Sequence, residues 1–398
     1  MARIARRRVL TLSASGGLAA ILASGRAPAL AQETTVHWLR WADFVPASDV
    51  LLKGPITQEC KKATGITLKL ETVNANDLQS RITSAIQSGT GADIIMAIGN
   101  WPQLYAESLA DSGDVAEELG NAGGGYYDIS RQVATAGNKW IGVPWTTGGG
   151  LIAYRKSWLE EAGYKTFPET WDAFRDAGKK LKAKGRPIGQ TAGHTFGDAP
   201  GWWYPFLWSF GGQEVAADGK TVVLDSKETV ESIKFAVALW KETMDEGGLA
   251  WDDTNNNRAF LSQTISATNN GASIYIEAKK KPDTYKTEKG TPMFQDILHA
   301  RIPKGVAGQY NWPGVSTDML MSYSKNQKAA KDFLRWIHSR PIYDQWFTSQ
   351  QGYTSAPPRT GRSTRCGTSI RCSSPSRTCR HSAGWRAMPG RPIAGPPR

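Results

Sequence analysis

Apolar and polar positions along the middle of the chain fall into two alternating regimes. Val36 to Trp41 and Ile66 to Leu70 are rich in strand formers, while Leu51 to Ala63 and Asp77 to Ser88 carry helical spacing. Ala92 to Ala97 reads as a short buried strand. Strand, helix, strand, helix, strand describes an α/β lobe with a mainly parallel sheet. In such a sheet ligands sit beyond the C-terminal ends of the strands, which singles out Asp43 and Phe44, Asn74 to Asp77, and Asn100 with Trp101.

Trp140 to Trp145 leads through two threonines and Gly148-Gly149-Gly150 into a second strand from Leu151 to Tyr154, where a crossing between two lobes is expected. Helical spacing then covers Trp158 to Ala162, Thr170 to Ala183 and Ser226 to Asp245, the last with Ser226 and Glu228 supplying capping chemistry. Arg258 to Gln263 is a further short helix, and Gly271 to Tyr275 is read as a strand. Strand character returns at Leu298 to Ile302 and Met319 to Ser322, before closing helices at Gln327 to Ile337 and Pro341 to Ser349. The expected division is a first lobe over 32–145 with a later return near 290–325, and a second lobe over 146–289 completed by 326–356. A ligand cleft lies between the two lobes.

The charge distribution removes one function class. The formal net charge is +12, yet residues 1–31 and 357–398 together hold fourteen arginines and no acid, which leaves the body between them at −2. A nucleic-acid binder read from the net charge therefore loses its electrostatic basis. Arg6-Arg7-Arg8, the small-residue apolar run to Ala23 and Ala29-Leu30-Ala31 form a removable export signal over 1–31, similar to the twin-arginine class. A soluble periplasmic protein is implied. Cys60 stands alone in the body and has no disulfide partner there.

From Pro357 onward Asp, Glu, Lys, Tyr and Phe disappear, and the segment 357–398 is expected to be a disordered basic tail. Thr364 to Cys372 admits codons that, displaced by one nucleotide, spell His-Pro-Met-Trp-Asp-Lys-His-Pro-Val, so the tail reads as the product of a shifted frame. Cys366, Cys372 and Cys379 lack the companion ligands and spacing of a zinc site.

Candidate chemistry comes mainly from aromatic residues. Trp101, Trp145, Trp202, Trp203, Tyr204, Trp208 and Trp312 stand beside Gly, Pro or Asn at loop-like positions. Indole faces stacked on a pyranose, with Asn and Asp reading its hydroxyls, make a sugar site of high polarity and low charge. The hydrogen-bonding candidates are Asn74, Asp77, Asn100, Asp198, Asn270 and Asn311. Core packing is the competing reading for each Trp. His37, His194, His299 and His338 form no metal-ligand spacing, and no nucleophile elbow, phosphate loop or dinucleotide fingerprint occurs. No enzyme activity and no cofactor are expected.

Several ordered segments carry a resemblance. Gly89-Thr90-Gly91-Ala92-Asp93-Ile94-Ile95, Gly142-Val143-Pro144-Trp145 leading to Ala153-Tyr154-Arg155, Thr170-Trp171-Asp172-Ala173-Phe174, Ser209-Phe210-Gly211-Gly212-Gln213 and Asn269-Asn270-Gly271-Ala272 resemble the family 1 extracellular solute-binding proteins of ABC transporters, the carbohydrate-binding group related to maltose-binding protein. The resemblance covers about residues 33 to 356. It implies the periplasmic-binding-protein fold: two α/β lobes joined by a hinge, closing on a sugar or polyol and delivering it to the permease subunits as a monomer. By position in such folds the ligand-binding residues would be Asp43, Asn74, Asn100, Trp101, Trp145, Asp198, Trp202, Trp203, Asn270 and Trp312. Two alternatives remain open. A same-fold receptor for a polyamine or an anion would line its cleft with several acids or with Arg and helix N-termini. A secreted glycosidase would set two carboxylates across the cleft.

Overall fold

The computed structural model describes residues 34–312 and 314–358, so the expected export signal and all but the first two residues of the tail lie outside the described residues. In chain order the strands are β1 (Thr35–Trp41), β2 (Thr67–Val73), β3 (Ile94–Ile98), β4 (Thr135–Ala136), β5 (Lys139–Trp140), β6 (Val143–Thr146), β7 (Leu151–Arg155), β8 (Ala267–Asn270), β9 (Ile297–Ala300) and β10 (Ser316–Leu320).

Two sheets organise two lobes. The first has the order β2-β1-β3-β10-β6. Its β1 pairs in parallel with β2 and β3, while β10 runs antiparallel to β3 and β6. Val36, Trp38, Ile94, Ile95 and Met319 are fully or almost fully buried, as expected of strands covered on both faces. The second sheet, β8-β7-β9, is antiparallel and packs against the helices Trp171–Ala183, Asp198–Ser209 and Lys227–Thr243. Two of these helices are capped by side chains: Thr170 Oγ1 accepts from Ala173 N at 3.2 Å and Ser226 Oγ from Thr229 N at 3.1 Å.

The chain crosses between the lobes at 147–150 and again between β9 and β10, and the two crossings touch where Gly314 N donates to Gly148 O at 3.1 Å. Residues 326–356, expected to complete the second lobe, pack on the first. The helix Gln327–Ile337 buries Ala330, Phe333, Leu334 and Ile337 in the core that contains Trp38 and Cys60, and the helix Arg340–Ser349 lies against Pro46–Leu51. The return to the first sheet is β10 alone, since β9 at 297–300 pairs with β7 in the second sheet.

After these helices the chain forms a strap. Thr147 and Ser355 exchange two backbone hydrogen bonds of 2.8 Å, and Tyr127 N donates to Pro357 O at 3.1 Å. Isolated backbone pairing thus reaches Pro357 and Pro358, the first two residues of the segment expected to be disordered.

Two local expectations differ. The strand placed at Gly271 to Tyr275 ends earlier, as β8, and the helix Ser273–Lys280 follows, with Ser273 Oγ donating to Asn270 Oδ1 at 2.9 Å. The run Gly201 to Pro205, read as loop-like, belongs to the helix Asp198–Ser209. Pro205 has no N–H for the carbonyl of Gly201, and Asn269 Nδ2 donates to that oxygen instead at 3.0 Å.

Candidate functional site

A cleft of about 140 Å³ opens between the sheets. That is close to the roughly 150 Å³ that takes one six-membered ring. Trp41 and Phe44 at the end of β1, Ile98 at the end of β3, Thr146 and Ser316 line it from the first lobe. Asp198, Gly201, Asp253, Asn269 and Asn270 line it from the second, with Phe196, Trp312 and Tyr353 as further aromatic walls. The glycines of the 147–150 crossing form the floor.

Close approach explains two of the glycines. A Cβ on Gly99, whose φ is +58°, would lie 2.6 Å from Cζ2 of Trp312, so the missing side chain lets that indole lie on the end of β3. A Cβ on Gly150 would lie 2.4 Å from Asn269 Oδ1.

The aromatic walls are held by other rings. Phe196 stands 4.9 Å from Trp41 and 5.4 Å from Trp101, and its backbone N donates to Asn76 Oδ1 at 2.9 Å, a bond that joins the lobes. Tyr353 lies 6.4 Å from Phe44, and a Cβ on Gly271 would meet its ring at 2.7 Å.

Carboxylates dominate the charge. Asp253 Oδ2 accepts from Gly197 N at 2.7 Å and its Oδ1 from Asp198 N at 3.2 Å, which fixes the start of the helix Asp198–Ser209. Asp198 Oδ2 accepts from Asn256 Nδ2 at 2.6 Å. Burial, reinforced by the neighbouring Asp253 charge, holds the Asp198 carboxyl well above its ordinary value. Burial also raises Asp253, against the Thr195 hydroxyl and the two backbone donors. Asp43 is raised by burial against the opposing pull of Arg40, 3.5 Å away. Tyr353 is pushed far above the usual phenol range by burial and then by the charges of Asp43, Asp198 and Asp253.

Of the ten residues proposed from sequence, the cleft brings together Asp198, Asn270 and Trp312. Asp43 stands behind the lining, accepting from Val45 N at 2.8 Å and from Gln350 Nε2 at 2.9 Å. Asn74 is exposed and caps a turn through Asn76 N, and it is Asn76 that reaches Phe196. Asn100 precedes the short helix Trp101–Leu104, and Trp101 backs Phe196 rather than lining the cleft.

Trp145 points the other way. It is 1% exposed and packs 4.5 Å from Trp346, 5.0 Å from Tyr343 and 5.5 Å from Trp38, because side chains alternate along β6 and Thr146 takes the cleft face. Trp202, also 1% exposed, packs 5.2 Å from Trp171 in the second-lobe core. Trp203 is half-buried and donates from Nε1 to Ala192 O at 3.0 Å. Sequence reasoning missed Trp41, Asp253, Asn269 and Tyr353 as lining residues. The segment Asn269-Asn270-Gly271-Ala272 carries one of them, Asn269, beside the predicted Asn270.

Among the described residues no group of three or more His, Cys, Asp or Glu side chains is arranged to hold a metal, and no helix is long and apolar enough to cross a membrane. Comparison with known proteins adds the decisive observation: the model of the family described as bacterial extracellular solute-binding protein matches residues 47–341. The chain belongs to this family. A probable ABC transporter-binding protein of Deinococcus radiodurans is 24% identical over 304 residues, covering 70% of this chain and 68% of the relative. The maltose-bound MalE3 of T. maritima superposes with a TM-score of 0.69 at 19% identity, covering 83% of each chain. An ABC transporter solute-binding protein of Agrobacterium radiobacter K84 in complex with ribitol gives 0.66 at 20% identity over 79% of each chain. The fold is therefore the two-lobed periplasmic binding protein fold of the MalE type. In this solute-binding protein the cleft occupies the boundary between the lobes, beyond the C-terminal ends of β1 and β3.

Proposed function

We propose that this solute-binding protein captures a sugar or polyol in the interlobe cleft and delivers it, by closure of the lobes, to the permease subunits of an ABC transporter. The observation that carries the reading is the composition of the cleft. Trp41, Phe196, Trp312 and Tyr353 place aromatic rings in the lining from both sides of the lobe boundary, and Asp198, Asp253, Asn269 and Asn270 place polar side chains beside them. A polyhydroxylated ring has an apolar face for the first set and hydroxyls for the second. The saccharide and polyol carried by the two solved structures named above agree with that chemistry.

Closure is the expected response to a solute that both lobes hold. Contacts made to both lobes at once exist only in the closed form, so a solute bound by Trp41 on one side and Asp198 on the other shifts the population toward it. The protein works as an exported, periplasmic monomer that needs no cofactor and changes no bond in its ligand. A glycosidase would require carboxylates on opposite walls, whereas Asp198 and Asp253 share one wall and are joined through Asp198 N.

Calorimetric titration with mono- and disaccharides and polyols tests the reading. A one-to-one complex with at least one of them, weakened in Trp312→Ala, is the expected result. Binding confined to inorganic anions or peptides would overturn it.

A further inference from the structure

The polar lining of the cleft is unbalanced in charge and in hydrogen-bond capacity. Among the described residues that line it there are two carboxylates, Asp198 and Asp253, and no Lys, Arg or His. Arg40 does not redress this, because its guanidinium is 1% exposed, stands 4.9 Å over the Trp38 ring and pairs with Asp43 behind the lining. Both oxygens of Asp253 accept backbone N–H groups, whereas Asp198 accepts from Asn256 on Oδ2 alone.

Of the two lining amides, Asn270 is bonded on both sides, its Nδ2 to Asn257 Oδ1 and its Oδ1 to Ser273 Oγ, whereas Asn269 is bonded through Nδ2, to Gly201 O at 3.0 Å. Asn269 Oδ1 stands against Gly150, another lining residue, without a hydrogen-bond partner, on a residue only 3% exposed. A buried carbonyl oxygen left unpaired is costly, and a donor entering the cleft beside it would relieve that cost. An unpaired carbonyl oxygen, two carboxyl groups with no cation beside them and four aromatic walls describe a site that a donating, positive group completes, the incoming charge drawing Asp198 to its ionised form.

From this arrangement we propose that the solute carries a cationic nitrogen on its polyhydroxylated frame, as an amino or imino sugar does, with the ammonium donating to Asp198 and Asn269 Oδ1 and facing the ring of Trp41 or Tyr353. The proposal rests on the sugar or polyol reading of the cleft and narrows it. The frame supplies the apolar face for Trp312, and the nitrogen supplies the charge that the lining lacks. Asn269 becomes a positioning residue that Pro205 makes necessary, since its Nδ2 is held by the carbonyl Pro205 leaves free.

Matched pairs separate the two claims. Calorimetry on the full chain would compare glucose, galactose and mannose each with its 2-amino-2-deoxy counterpart and with an imino analogue, at a pH where the nitrogen is protonated, with putrescine as a frameless cation. The cationic member of at least one pair should bind about tenfold or more tighter than its neutral parent, since a hydrogen bond to a charged group outweighs a neutral one by about that factor. Asp198→Asn should weaken the cationic member by about tenfold more than it weakens the neutral parent, so that the difference within the pair disappears, and added salt should shrink that difference in the unsubstituted protein. Equal or tighter binding of the neutral member in every pair overturns the cationic proposal and leaves the sugar reading standing. Binding of putrescine with no member of any pair, or no binding by any probe, overturns both. A circular dichroism spectrum and melting curve for Asp198→Asn that match the parent keep a folding defect from imitating the result.

Discussion

Replacing Trp202 and Trp312 separately by Ala distinguishes core from cleft among tryptophans that the sequence alone treats alike. Trp202 is 1% exposed and packs against Trp171 at 5.2 Å, Trp203 at 6.3 Å and Phe174 at 6.4 Å, all within the second lobe. Removing so large a buried ring costs about 3–5 kcal/mol. For a lobe of this size each kcal/mol shifts the melting temperature by roughly 2–4 °C, so the expected fall is roughly 6–20 °C. Trp312 is partly exposed in the cleft and is seated over Gly99, so its loss removes a stacking wall and little core. Its expected cost is about 1–2 kcal/mol of binding, a five- to thirtyfold rise in Kd, with a melting shift of the unliganded protein below about 3 °C. Scanning calorimetry and isothermal titration on both variants give the comparison. A Trp202→Ala protein that melts like the parent but no longer binds would refute the core assignment, as would a Trp312→Ala protein with the stability loss predicted for Trp202.

Other substitutions test the remaining elements of the cleft. Tyr353→Phe should keep the wall and bind within about threefold of the parent, whereas Tyr353→Ala should lose about 1–2 kcal/mol of affinity, read by titration. Gly150→Ala places a Cβ 2.4 Å from Asn269 Oδ1, and melting should show about 1–3 kcal/mol of overpacking together with weaker binding. The pH dependence follows from opposite shifts. Burial and Asp253 raise Asp198 above the ordinary 3.8, so the folded state holds a proton that the unfolded chain has lost. Stability of the unliganded protein should therefore fall as pH rises from about 4 through the folded pKa, and Asp198→Asn should flatten that fall in urea titrations. Glu242 has the reverse sign: Arg175 and then Lys179 lower it to about 2, so its contribution is present above the ordinary 4.5 and disappears as pH drops toward 2.

Legibility in the sequence followed how locally each feature is determined. The helix Gln327–Ile337 buries Ala330, Phe333, Leu334 and Ile337 at the helical period, and its bounds were readable to the residue. Which lobe it joins was not readable, because that depends on contacts with β1 and the helix Thr57–Thr64 far earlier in the chain. The strand β8 was misplaced because Thr268, Asn269 and Asn270 are buried polar residues and erase the apolar alternation that marks a strand. Two of these three line the cleft, so the site itself hid its own scaffold. The helix Asp198–Ser209 was hidden by two prolines and an internal glycine, and it survives through a side-chain bond from Asn269, 68 residues away. Trp145 and Thr146 could not be sorted into core and cleft because every residue of β6 is buried. The C-terminal ends of β1 and β3, by contrast, pointed to the cleft from the strand order alone, even where the particular residue lay one or two positions away, as Trp41 does from Asp43.

The central claim is that the interlobe cleft binds a polyhydroxylated solute by closing on it. A thermal-shift screen of the protein against saccharides, polyols and their amino derivatives, run in parallel on Trp312→Ala, tests this most directly. At a hundredfold excess over Kd a ligand specific for the folded state adds about 2.7 kcal/mol, so at least one compound should raise the parent's melting temperature by several degrees and raise the variant's by less. Stabilisation by none of these compounds, or stabilisation that persists undiminished in Trp312→Ala, would contradict the account.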